Sequence, residues 1–75
     1  MNWREHIVVD PNILHGTACF KGTRIPVAVV LDNLAAGVCE DDLRSEYPTL
    51  PEKAVAAAIA YAAELAKEQI LDLPA

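Results

Sequence analysis

The chain is poor in cysteine, in positive charge and in long apolar runs, and each shortage removes a class of protein. Two cysteines, Cys19 and Cys39, are too few for a disulfide framework. The start Met1-Asn2-Trp3-Arg4-Glu5-His6 carries no apolar run that could serve as a signal peptide, so a reducing cytoplasm is expected. The longest apolar-looking stretch, Ala54 to Ala66, is mostly alanine and is broken by Tyr61 and Glu64. It is too short and too weakly hydrophobic for a bilayer. Six basic residues face eleven acidic ones, for a net charge of -5. That sign opposes a domain that must displace counterions from a phosphate backbone, so DNA binding is disfavoured though not forbidden.

Glycine is also sparse, and Gly22-Thr23-Arg24 lacks the spaced glycines and the Lys-Ser/Thr of a phosphate cradle. His15, Cys19 and Cys39 match no structural zinc spacing, and a Cys19–His15 nucleophile pair has no third residue to orient it. The sequence therefore predicts no catalytic residues, no metal site, no cofactor and no enzymatic activity.

What is present divides the chain at Lys21-Gly22-Thr23-Arg24-Ile25-Pro26-Val27, where a β-branched half gives way to an alanine-rich one. Pro26 suits that switch, because its fixed φ fits the start of a helix and its missing N–H costs nothing there. Ahead of it, His6-Ile7-Val8-Val9 and Thr17-Ala18-Cys19-Phe20 read as two extended segments separated by turns at Asp10-Pro11-Asn12 and His15-Gly16. Thr23-Arg24-Ile25 reads as another extended piece. Gly16 can take a positive φ freely, and His15 only at some cost.

Behind Pro26, Val27, Val30, Leu31 and Leu34 form one helical stripe, and Gly37 stands where a left-handed cap belongs, with Val38 folding back beyond it. A short second helix follows to Tyr47, with Cys39 as a weak N-cap, Glu40, Asp41 and Asp42 in its first turn, and Val38 and Leu43 as a hydrophobic staple. After Pro48-Thr49-Leu50-Pro51 the longest helix is predicted from Glu52 to about Ile70. On it Val55, Ala58, Ile59, Ala62, Leu65 and Ala66 share one side, with Tyr61 and Ile70 at the margins and Lys53, Glu64, Lys67 and Glu68 opposite. That apolar arc is wider than one core face needs. Two readings of it stay open: a second chain packs there, or alanine simply sits in solvent.

The fold class that emerges is mainly α: a short N-terminal β-ribbon arm (1–25), a three-helix, helix-turn-helix-like core of the homeodomain-like or winged-helix-like kind (26–70), and a tail (71–75), all in one domain. At 75 residues a domain buries only about 60 per cent of its unfolded surface and is marginal alone, so a homodimer is expected.

The motif order Ile7…Asp10-Pro11…Gly16…Lys21-Gly22-Thr23-Arg24-Ile25-Pro26-Val27…Leu34-Ala35-Ala36-Gly37…Tyr47-Pro48-Thr49-Leu50…Ala57-Ala58-Ile59-Ala60-Tyr61-Ala62 resembles the domain-of-unknown-function family 433. The resemblance implies a small prokaryotic protein with a β-ribbon and a trihelical part. Members of that family are often described as predicted antitoxins encoded beside toxins that resemble PIN-domain ribonucleases. The chain departs from the family pattern at His15, where a second glycine is common, at Thr17-Ala18, at Cys39 and at Pro51.

Two binding functions follow. In the favoured one, an antitoxin-like module pairs with a PIN-type ribonuclease toxin through Glu40, Asp41, Asp42, Tyr61, Leu65 and Ile70, within an acidic helix start and the segment from Glu64 to Ala75. The bland counterpart, equally weighted, has the acids serving only helix termini and solubility. In the alternative, a helix-turn-helix transcriptional regulator contacts DNA, with Lys21, Arg24, Arg44 and Lys53 as the candidate nucleic-acid contacts. Three carboxylates leading the second helix oppose that reading. Arg24 weighs more toward a clamp on its own fold, through Asp10 or Asp32, than toward a ligand.

Overall fold

The computed structural model describes residues 1–68 of the chain; Ile70 and the tail 71–75 lie outside them. A 3₁₀ turn, Trp3–Glu5, leads into a strand β1 (Ile7–Val8), and a second 3₁₀ turn, Leu14–Gly16, precedes β2 (Cys19–Phe20). Three helices complete the described chain: α1 (Val27–Ala35), α2 (Glu40–Glu46) and α3 (Ala54–Glu68). The protein is thus mainly helical, with a two-stranded antiparallel sheet near its N-terminus.

The ribbon pairs Ile7 with Phe20 and Val8 with Cys19. Its far side is closed by the chain's next stretch: the Phe20 amide donates to the Ile25 carbonyl at 3.2 Å, and the Val27 amide to Ala18 at 2.9 Å. The expected extended piece at Thr23-Arg24-Ile25 is reduced to a single bridge between Cys19 and Pro26, because the turn at Phe20–Thr23 takes the residues before it. Gly22 sits there at φ 78°, the left-handed value a tight turn of this kind requires at its third position. The Thr23 hydroxyl donates to the Phe20 carbonyl and accepts from the Ile25 amide, which pins the turn's exit.

Between the strands, the Asp10 carboxylate accepts from the Asn12 amide at 2.8 Å, an Asx turn in which a side chain replaces the backbone acceptor. His15 follows with φ 56° and ψ 34°, so both residues of the His15-Gly16 turn are left-handed, not the glycine alone. An L-residue in that region carries a cost that histidine meets more readily than most.

α1 ends as the Gly37 pattern predicts. Gly37 lies at φ 87°, its amide donates to Leu34 at 3.0 Å, and the Val38 amide donates to Asn33 at 3.0 Å. This pair of bonds is a Schellman cap, which satisfies carbonyls that the helix itself leaves open. Val38 turns back onto the core cluster to which buried Leu43 belongs, as a hydrophobic staple at the entry to α2 requires. Cys39 makes no side-chain cap bond there, as a weak thiol acceptor should not.

The core gathers Ile7 and Phe20 from the ribbon, Val27 and Val30 from α1, Leu43 from α2, Leu50 from the connector, and Ala54, Ala57 and Ala58 from α3. Leu31 and Leu34 complete the α1 stripe at its edge. Alanine on the inward side of α3 lets its backbone lie close to α1, and Phe20 is the largest of the fully buried side chains. The buried side of α3 is therefore not centred where the apolar pattern placed it. Ala54, Ala57 and Ala58 face inward, while Ile59 is 53% exposed and Leu65 43% exposed. The periodicity could not separate two apolar sides of a helix built largely from one small residue. The helix also begins at Ala54, not Glu52, because Glu52 and Lys53 form a turn off Pro51.

Candidate functional site

The N-terminal 3₁₀ turn is held against α3 by a compact set of contacts that the sequence pattern did not reveal. Asn2 caps the turn by accepting from the Arg4 amide at 3.2 Å. That fixes Trp3 so that its indole Nε1 donates to Glu64 and its ring meets Tyr61 edge-on, with centroids 4.9 Å apart and planes at 83°. This T-shaped geometry places the positive edge of one ring on the negative face of the other. The Arg4 guanidinium lies over the Trp3 ring at 4.4 Å and grips Glu64 with two donors, at 2.8 and 3.3 Å. A guanidinium can stack and bond at once because its charge is spread over a plane.

Glu64 thus accepts from two side chains. The Arg4 guanidinium first and the Trp3 indole second hold its carboxyl below the ordinary carboxylate value of 4.5. Beside this latch lies an open groove of about 500 Å³, lined by Met1, Trp3, Ala60, Ala63, Glu64 and Lys67. Met1, Trp3, Ala60 and Ala63 give it apolar lining, and Glu64 and Lys67 give it charge. The one local signal that could have led here is Trp3 itself, whose large ring and single N–H favour a covered site with an acceptor. Its partner sixty-one residues away could not be read without the fold.

The acidic residues Glu40, Asp41 and Asp42 are exposed in the first turn of α2. Glu40 is engaged by Arg44 one turn on, at 2.9 Å, whereas no ion pair among the described residues takes up Asp41 or Asp42. Of the residues expected on α3, Tyr61 is half-buried against Trp3 and the core, and Leu65 is open to solvent. Ile70 falls outside the described residues.

The four candidate nucleic-acid contacts separate into two kinds. The Arg44 guanidinium is occupied within the fold: Nε donates to Glu40 at 3.0 Å, one terminal nitrogen to the Leu50 carbonyl at 3.2 Å, and the other to the Glu52 carbonyl. It ties α2 to the connector ahead of α3. Lys21, Arg24 and Lys53 are exposed, and no side-chain hydrogen bond or ion pair among the described residues engages them. Arg24 is not the clamp that its place in the hinge suggested, since neither Asp10 nor Asp32 meets it; the Thr23 hydroxyl performs that task. Lys21 and Arg24 flank the turn at the ribbon's end.

Cys19 is buried in the ribbon and Cys39 is exposed ahead of α2. Among the described residues no three His, Cys, Asp or Glu side chains converge as a metal site would require. No described helix is long and apolar enough to cross a membrane.

Residues 7–62 match the model of a family described as "Protein of unknown function (DUF433)". An uncharacterized protein, y4eO of Sinorhizobium fredii, is 36% identical over 59 residues, which cover 79% of this chain and 27% of that protein. The chain therefore spans about a quarter of the length of this curated relative. No solved structure matches it.

Proposed function

The chain belongs to the DUF433 family of proteins of unknown function, and on that premise we propose that it is a cytoplasmic, antitoxin-like binding module rather than an enzyme. It self-associates at least as a dimer and pairs with a PIN-type ribonuclease. The observation that carries this reading is the exposed acidic start of α2, where Asp41 and Asp42 project with no ion-pair partner among the described residues. A ribonuclease surrounds its acidic metal site with cations that receive RNA, and an acidic module complements that rim. The net charge of -5 has the same sign. The partner's approach is steered by it, so the association should be fast and sensitive to salt.

The test is co-expression with a PIN-type ribonuclease encoded beside this gene, followed by purification through one partner. The parent chain brings the ribonuclease with it and silences RNA cleavage. Asp41→Lys with Asp42→Lys weakens the complex by about tenfold or more, the effect of opposing like charges across a polar rim. A complex indifferent to both changes removes α2 from the interface, and no complex at all removes the ribonuclease.

A second reading, a helix-turn-helix regulator that binds DNA, is favoured by Lys21 and Arg24 at the ribbon's end and by Lys53, all exposed and unpaired among the described residues. Its signature is a duplex affinity that falls steeply with salt and loses about one unit of slope when Arg24 becomes Ala.

A further inference from the structure

The N-terminal turn Trp3–Glu5 buries none of its own residues, whereas Ile7, just beyond it, is 4% exposed within the core. Its backbone bonds are internal: the Glu5 amide donates to the Asn2 carbonyl at 3.2 Å and the His6 amide to the Trp3 carbonyl at 2.9 Å. Among the described residues no backbone hydrogen bond runs from residues 1–5 to another element. The turn meets α3 through side chains, and these fall on one patch. Tyr61 takes the edge-on contact with the Trp3 ring. Glu64, one turn further on the same helix face, accepts from Trp3 Nε1 and from both terminal nitrogens of Arg4.

His6 stands between the turn and the ribbon. Its amide closes the turn on Trp3, and its carbonyl accepts from the Lys21 amide across the ribbon at 2.9 Å. Rotation about the backbone of this one residue swings the turn outward and breaks neither bond. We infer that residues 1–5 are a hinged strap, latched on Glu64 and pivoting at His6, which lifts from α3 and closes again while the ribbon and the three helices stay folded.

The energetics favour that order of opening. Lifting the strap gives up one ring contact and a carboxylate cluster in which the Arg4 side chain is 62% exposed, and water screens such a pair. Opening the core exposes Phe20, Val27, Val30 and Leu43 together. A protein opens most readily where few buried contacts hold it. Met1 and Trp3 line the groove with Ala60, Ala63, Glu64 and Lys67, so the groove exists only in the closed form. The open form instead bares the ring of Tyr61, one of the residues expected at a partner interface. The strap follows from these contacts and is independent of the ribonuclease.

The experiment is native-state hydrogen exchange by nuclear magnetic resonance on the full, ¹⁵N-labelled chain. Trp3 is the sole tryptophan, so one indole N–H signal reports the strap. The core is reported by the amide of buried Ala57, which donates to the Lys53 carbonyl at 2.9 Å within the fold. With each rate corrected for its intrinsic value, we expect the indole to exchange about 100-fold or more faster than the Ala57 amide. Urea below the unfolding transition should accelerate Ala57 steeply and leave the indole nearly unchanged, because lifting the strap exposes little surface. Glu64→Ala, which keeps a good helix former at that position, should raise the indole rate by about threefold to tenfold. An indole and an Ala57 amide that rise together in urea would show that the turn opens only with the whole fold. An indole as unprotected as in a free peptide would show that the strap does not close, and a rate unmoved by Glu64→Ala would remove Glu64 as the latch; each of these outcomes overturns the inference.

Discussion

Trp3 and Glu64, sixty-one positions apart, are joined by a hydrogen bond from the indole nitrogen to the carboxylate. The Arg4 guanidinium covers the one and binds the other. Because the contact is charge-assisted, it depends on the ionisation of Glu64. Its folded carboxyl titrates below the unfolded value. A depressed acid contributes stability that is present in full above the unfolded value near 4.5 and is lost as pH falls through the folded one. Melting temperature measured from pH 7 to pH 3 should therefore fall more for the parent than for Glu64→Gln, and the two curves should converge at the acidic end. Parallel curves throughout would mean that the latch does not form in solution.

Arg44 binds carbonyls of Leu50 and Glu52 as well as Glu40. Arg44→Ala should cost about 1–3 kcal/mol in urea unfolding, the range for losing hydrogen bonds to a charged donor. Glu40→Gln, which spares the carbonyl bonds, should cost under about 1 kcal/mol, as an exposed helix pair does. Equal losses would assign the work to the ion pair.

The left-handed residues His15 and Gly37 make opposite predictions. His15→Gly relieves a positive φ and should stabilise by about 0.5–1 kcal/mol. Gly37→Ala meets no neighbour within 4 Å, so its cost is conformational alone and amounts to about 1–2 kcal/mol. Denaturation midpoints at unchanged slope are the measurement. A destabilising His15→Gly would show that the imidazole contributes more than its backbone costs.

Ala57 is fully buried and Ala56 is exposed. Ala57→Leu overfills the space between α3 and α1 and should cost about 1–3 kcal/mol, whereas Ala56→Leu should change monomer stability by less than about 0.5 kcal/mol. The pair tests which side of α3 faces inward, and a reversed order of stability would rotate the helix.

Much of the fold was legible in the sequence because its punctuation is chemical. Gly37 and Val38 specify a cap, Asp10-Pro11-Asn12 a turn, and the spacing of Val27, Val30, Leu31 and Leu34 a core stripe, while Pro26, expected at the first helical position, stands one residue earlier as the extended N-cap. α3 was legible as a helix but not in its orientation, since a run of alanines gives the hydrophobic pattern little contrast between its sides. Arg24 and Arg44 show a similar limit. Both are arginines close to a junction, and only the path of the chain decides that Arg44 reaches three acceptors while Arg24 faces solvent. Trp3, Arg4 and Glu64 meet by tertiary closure, which no local pattern encodes.

The Trp3 latch also decides what a spectrometer sees. Trp3 is the sole tryptophan of the chain, and its ring touches Tyr61, Arg4 and Glu64 while most helical residues lie in α1 and α3. Fluorescence thus follows the docking of the N-terminal turn, and far-ultraviolet dichroism follows the helices. If the two melts coincide, the chain opens in one step; if fluorescence changes first, the gap between the curves measures how cheaply the first few residues lift from α3.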